Sequence, residues 1–466
     1  MLFNSYSFLF AFLPLTLLGW WTLPRKNTRL AFLTVASWVF YCWWDWRFLP
    51  LMLISTTVDY VGALAISRSN GTTRRKCLLA ASLTVNLGLL GYFKYAGFFV
   101  DSLDGLSRAL GLPVDVPALH VLLPIGISFY TFNSMSYTID VYRRVVQPTR
   151  NIVEYSAFVA MFPHLIAGPI VRFTDLSERL RRPAKTLTSG MAATGLFFLS
   201  CGLIKKLLVA DQLSPHVDRL FENAGHLGLI TAWAAAIGYA LQLYFDFSGY
   251  SDMAVGLAWL VGFQFPQNFN SPYTAENISD FWRRWHMTLS AWIRDYIYIP
   301  LGGSRRGPAK TVVILIVTMF AGGLWHGAAW TFVVWGLLHG VYLGGHAVLR
   351  RAGLTPSNVV LNRLITFVLV VSAFVIFRSP DLGTAADILS SMIGFGGLDT
   401  TAQLGVLLPR DFALALVALL VFVNFAPNTW EIEIGRRSWQ GFALGLAAAV
   451  AVMTIAQPHP FIYFQF

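Results

Sequence analysis

Uncharged or nearly uncharged runs recur along the chain at 8–23, 30–44, 48–66 (interrupted by Asp59) and 78–99 (interrupted by Lys94). Others follow near 121–139, 155–171, 191–203, 230–245, 311–338, 364–377, 412–425 and 442–455. A helix needs about 20 apolar residues to cross a bilayer. The pattern therefore predicts an all-α, polytopic membrane protein with about 11 transmembrane helices. Several runs are shorter than a full crossing, which predicts tilted, broken or re-entrant segments whose freed backbone groups are buried in protein. No basic stretch precedes the first run and no small-residue cleavage site follows it, so it reads as a retained span. With no internal repeat and no low-complexity linker, residues 1–466 read as a single integral-membrane domain.

Composition agrees with that class. Hydrophobic residues make up 56% of the chain and charged residues 12%, against roughly 25% charged in a soluble domain. A soluble globular enzyme and a disordered chain are both excluded. The 34 Lys and Arg outnumber the 23 Asp and Glu, for a net charge of +11. The basic residues fall in short clusters between apolar runs, among them Arg25/Lys26/Arg29, Arg74/Arg75/Lys76, Arg143/Arg144, Arg305/Arg306/Lys310 and Arg350/Arg351. That distribution reads as the positive bias of cytoplasmic loops. No polar region is large enough to hold a nucleic-acid fold, so no nucleic-acid partner is expected. Cys42, Cys77 and Cys201 have no CxxC spacing and read as small core residues, not as a disulfide framework or a metal site.

Polar residues in apolar surroundings cost several kcal/mol unless paired or solvated, and they concentrate in the middle of the chain. His164 stands between prolines in Phe162-Pro163-His164-Leu165-Ile166-Ala167-Gly168-Pro169-Ile170. Either this is broken backbone at a cavity wall or a Pro-kinked helix whose His caps a carbonyl. Asp246 and Asp252, interleaved with Tyr244, Ser248, Tyr250 and Ser251, could shape a polar pocket, pair with Arg, or belong to an interfacial loop. In 281–296, Trp282, Trp285, Leu289, Trp292, Ile293 and Tyr296 follow the spacing of one helical face, flanked by Arg283, Arg284 and Arg294. That reads as an amphipathic helix in the interface plane whose basic edge meets lipid headgroups or a phosphate-bearing donor.

His326 lies near the centre of the uncharged run 311–338, with Gly322, Gly323 and Gly327 around it. An imidazole at that depth is a functional candidate, and the glycines permit close approach of helices or of a thin acyl chain. A neutral imidazole can act as general base toward a hydroxyl near neutral pH. Other solutions are missing: the chain has no GxSxG elbow, no HxxxxD, no HExxH, no P-loop and no GxGxxG. Moving an acyl group from a thioester to an alcohol needs little beyond a His and orientation.

At these residues the chain resembles the membrane-bound O-acyltransferase (MBOAT) family, and within it the alginate O-acetyltransferase branch. The resemblance is carried by Leu123-Pro124-Ile125-Gly126-Ile127-Ser128-Phe129-Tyr130, by 162–170, 242–252, 281–303 and 322–327, and by the terminal Phe461-Ile462-Tyr463-Phe464-Gln465-Phe466. It maps the family's core histidine onto His326 and a second functional position onto His286. It implies helices ringed around a funnel in the bacterial inner membrane. No bound cofactor is implied, but acetyl-CoA or another acetyl thioester as donor, and periplasmic acetyltransferase proteins as partners alongside membrane lipid. The implied reaction is O-acetylation of an exported polysaccharide, alginate first, with cellulose or peptidoglycan as other acceptors. In that expectation His326 takes the hydroxyl proton while His286 orients the donor or polarises its carbonyl. Arg283 and Arg284 hold phosphates, and His164, Asp246 and Asp252 complete the candidate substrate-binding set. The competing expectations are a transporter that passes donor or glycan without chemistry, and a scaffold for an export complex. The stretch 379–408 carries no matching motif.

Overall fold

The computed structural model describes residues 1–112, 119, 121–433, 438–455 and 462. Of the terminal motif only Ile462 is among them; Phe461 and 463–466 lie outside the described residues. The described residues form helices and connecting turns, with no strand among them. Among the described residues, six helical stretches are long and apolar enough to cross a membrane: Lys26–Arg68, Thr72–Ala109, Ser189–Glu222, Pro308–His326, Trp330–Arg351 and Val359–Arg378. A seventh is added if Thr401–Leu407 and Arg410–Phe425, bent by 70°, count as one broken span. The count differs from the eleven expected because hydropathy does not register where the chain turns. The runs 30–44 and 48–66 lie in one 43-residue helical stretch, made of the helices Lys26–Asp45 and Leu49–Arg68 joined by the short turn Trp46–Phe48. The run 311–338 instead splits at 327–329 into two helices, so His326 ends a helix and does not sit mid-span. The first run forms only a short apolar helix, Phe8–Thr22. The three cysteines are unpaired, and Cys77 is exposed rather than part of a core.

The chain divides into two compact units, Met1–Leu199 with Met253–Pro266, and Ser200–Asp252 with Gln267–Phe466. In the first, the buried Asp59 carboxylate ties three helices together. It accepts hydrogen bonds from Ser82, from Asn86 Nδ2 at 2.8 Å and from Thr138 Oγ1 at 3.0 Å. A carboxylate in an apolar helix persists only with partners of this kind. Two of the motif stretches meet in the same unit. Gly126 opens the Ile127–Tyr142 helix at φ +75°, and a Cβ there would fall 2.8 Å from the Leu165 carbonyl oxygen. Both the turn and the close approach require glycine.

The second unit is organised on the hairpin of Pro308–His326 and Trp330–Arg351. Pro308 at the first helical position suits a helix start, because its missing N–H has no partner there anyway. The two helices touch through glycine. A Cβ on Gly336 would lie 2.5 Å from the Met319 carbonyl oxygen, one on Gly340 2.6 Å from Ile316 Cα, and one on Gly344 2.9 Å from Val312 Cγ1. Small residues four apart let helix backbones approach closely and gain packing that lipid cannot supply. The unmatched stretch 379–408 also has a structural task. Asp399 accepts from the backbone N–H groups of Gly228 at 3.2 Å and Ile230 at 2.7 Å, capping the Leu229–Leu260 helix from a distant segment.

Candidate active site

The expected single amphipathic helix over 281–296 is two short ones, Ile278–Arg284 and Met287–Ile293, broken at His286. Asn277 caps the first by accepting from the Asp280 N–H at 2.9 Å. The break is held by an extended segment. Asn270 N donates to the Arg284 carbonyl and Met287 N to the Asn268 carbonyl, each at 2.9 Å. His286 adopts φ +42°, a left-handed conformation rare for a side chain of this size. The aromatic face turns into protein instead of lipid, with Trp282, Trp285, Leu289, Trp292 and Ile293 all buried. Periodicity predicts the face correctly, but not what it packs against.

His286 is fully buried. Its Nδ1 lies 3.1 Å from Asn268 Oδ1, while Phe247 meets the ring edge-on at 4.6 Å between centroids. Its Nε2 has no hydrogen-bond partner among the described residues. His286 falls outside the candidate spans, and burial lowers its pKa to about 3, which keeps the imidazole neutral. Leaving a buried polar atom unpaired costs about 1–3 kcal/mol.

A row of rings leads away from it. His286 lies 5.9 Å from Trp325, Trp325 5.0 Å from His326, His326 5.0 Å from Trp335, and Trp335 4.6 Å from His339. The row ends where Trp282 Nε1 donates to His339 Nδ1 at 3.3 Å. Three imidazoles thus alternate with tryptophans. His326 is held edge-on between Trp325, Trp335 and Phe377 and keeps 5% exposure, whereas His286 and His339 have none.

The remaining candidates separate. Asp252 Oδ2 pairs with Lys205 Nζ at 2.6 Å and accepts from Thr429 Oγ1 at 2.8 Å. Asp246 pairs with Lys206, whose Nζ also lies 2.9 Å from Asp211, and accepts from Ile462 N at 2.9 Å. Arg284 is committed to Asp280 at 2.9 Å. Arg283, by contrast, is exposed and makes no ion pair among the described residues. With His346 and Arg350 it lines an open pocket of about 590 Å³, which Tyr342 also lines, its ring 5.7 Å from His339. His164 belongs to the other unit, where it is fully buried with Nδ1 3.1 Å from Asn133 Nδ2. Sequence reasoning missed Asn268, His339 and the lysine partners of the two aspartates. The adjacent Lys205 and Lys206 in an apolar stretch were a usable signal, since lysines there need carboxylates.

The sequence profile of the membrane-bound O-acyltransferase family matches residues 118–377. The chain is 44% identical over 427 residues to a probable alginate O-acetylase AlgI of Azotobacter vinelandii, covering 91% of this chain and 85% of that one. It is 41% identical to a probable alginate O-acetylase AlgI of Pseudomonas putida over 100% of both chains. It is also 37% identical to a peptidoglycan O-acetyltransferase of Helicobacter pylori, over 85% of this chain and 81% of the relative. The chain belongs to the membrane-bound O-acyltransferase family, and is a multi-pass membrane acyltransferase.

Proposed function

We propose that the chain transfers an acetyl group from acetyl-CoA or another acetyl thioester for O-acetylation of an exported polysaccharide, alginate first. The observation that carries this reading is the pair of imidazoles, His286 and His326, held on either side of Trp325. His326 takes the proton of the attacking hydroxyl as its oxygen bonds to the thioester carbonyl carbon. The C–S bond then breaks, and the leaving thiolate recovers the proton from the imidazolium. A well-placed base contributes about 10²–10⁴ in rate, and holding both reactants together supplies much of the rest. His286 offers its buried Nε2 to the donor or the hydroxyl. The donor's phosphates seat against Arg283, His346 and Arg350, whose pocket adjoins His339 through Tyr342.

The names of the relatives support a glycan acceptor, alginate in some and peptidoglycan in another. In this reading the protein works in the bacterial inner membrane with separate periplasmic acetyltransferase proteins. The test supplies purified protein with labelled acetyl-CoA and an oligosaccharide acceptor. Release of free CoA that is lost in His326→Ala supports the assignment. Intact transfer by His326→Ala at matched expression removes His326 from the mechanism, and uptake without CoA release makes the protein a transporter.

A further inference from the structure

We infer that Asn268 is a positioning residue that fixes the tautomer of His286, leaving Nε2 as the nitrogen with a free lone pair. This rests on the role proposed above for His286. The orientation of the amide follows from its neighbours. Thr288 N, which can only donate, points at Asn268 Oδ1 from 3.3 Å, and Thr288 Oγ1 does so from 2.8 Å. On the other side Asn268 Nδ2 donates to Ser251 Oγ at 3.0 Å. Reversing the amide would set its NH₂ against the backbone N–H of Thr288, two donors facing each other. The atom 3.1 Å from His286 Nδ1 is therefore an oxygen, and Nδ1 carries the proton.

A neutral imidazole has one N–H. With that hydrogen committed to Asn268, Nε2 can accept a hydrogen bond or a proton but cannot donate to a carbonyl. Of the two tasks the sequence suggested for His286, orienting the donor survives and polarising its carbonyl does not. The arrangement also has a rigid base. Asn268 is 2% exposed, and its carbonyl oxygen accepts from Met287 N at 2.9 Å, so the amide and the imidazole are set by one backbone pairing. The side chains packed on the ring and its amide partner, Phe247, Ser251, Phe269, Thr288 and Trp325, are all uncharged, and His326 lies beyond Trp325.

Asn268→Ala removes the acceptor, and Asn268→Asp keeps it in the same shape while adding charge. Transfer by Asn268→Ala should fall about 10–100-fold, the size of effect seen when the partner that orients a metal-ligating imidazole is removed. Asn268→Asp should retain transfer at high pH. Its carboxylate favours the imidazolium, so the acid limb of its pH–rate profile should move up relative to wild type. The independent readout is imidazole nitrogen NMR on histidine-labelled protein in nanodiscs, with His286→Gln identifying the signal. Wild type should show a bare Nε2 and a protonated Nδ1 at His286, and Asn268→Ala a mixture of tautomers. A protonated Nε2 in wild type overturns the inference. So does Asn268→Ala that keeps the wild-type nitrogen pattern, or an Asn268→Asp profile that does not shift. If His286→Gln transfers acetyl normally while the tautomer result stands, the functional reading fails and the inference about Asn268 does not.

Discussion

His339 Nδ1 accepts a hydrogen bond from the Trp282 indole at 3.3 Å, so His339 carries its proton on Nε2, the opposite tautomer to that derived for His286. The two imidazoles at the ends of the ring row present opposite hydrogen-bonding character. Trp282→Phe keeps an aromatic ring at the position but removes the indole N–H together with one of its two fused rings, stranding a buried acceptor beside a small gap. The expected loss is about 1–3 kcal/mol, read as a lower melting temperature of the detergent-solubilised protein. A melting curve equal to wild type would mean that the contact contributes nothing.

Glycines on the Trp330–Arg351 helix divide sharply by what faces them. A Cβ on Gly340 would lie 2.6 Å from Ile316 Cα, whereas one on Gly345 meets nothing within 4 Å. Gly340→Ala should destabilise by about 1–3 kcal/mol through overpacking. Gly345→Ala should be neutral or stabilising by up to about 1 kcal/mol, because alanine is the better helix former. Equal melting temperatures for the two variants would contradict the packing described for the hairpin.

Asp252 and Lys205 form an ion pair at 2.6 Å with little exposure on either side. Asp252→Leu alone strands the lysine, and breaking a buried pair this way costs about 3–5 kcal/mol. Replacing both, as Asp252→Leu with Lys205→Met, should recover most of that loss. Thermal unfolding of the two single variants and the double variant forms a mutant cycle. A double variant no better than the sum of the singles would show that the pair is not coupled.

Arg283 and Arg284 are neighbours with different commitments, one unpaired in the open pocket and the other bound to Asp280. Arg283→Gln should raise the donor KM about tenfold, equivalent to roughly 1.4 kcal/mol, with kcat changed little. Arg284→Gln should leave the donor KM near wild type. Steady-state kinetics with varied acetyl-CoA separates them, and the reverse ranking would move the phosphate site elsewhere.

The helical, membrane-spanning class was legible in the sequence because bilayer burial imposes long uncharged runs. Direction was not. Gly327, Ala328 and Ala329 reverse the chain without adding polarity, so 311–338 looked like one crossing when it is a hairpin. His326 stood out as a histidine in apolar surroundings, whereas His286 came from the family resemblance alone, and the feature that orients it lies 18 residues away in Asn268. The pairing of Arg284 and Met287 with Asn270 and Asn268 breaks the helix that local periodicity predicts over 281–296. Asp246 and Asp252 were visible as polar anomalies, but whether they met substrate or lysine depended on contacts across about 40 positions, as for Lys206 with Asp246. Gly336, Gly340 and Gly344 carried an open signal in their regular spacing.

Along the hairpin, Gly336 and Gly340 set backbone against backbone, at the Met319 carbonyl oxygen and the Ile316 Cα. Swinging His326 away would mean prising the two helices apart along several turns at once. The wall that carries His326 is therefore stiff, and any opening beside it must come from elements outside this clasp.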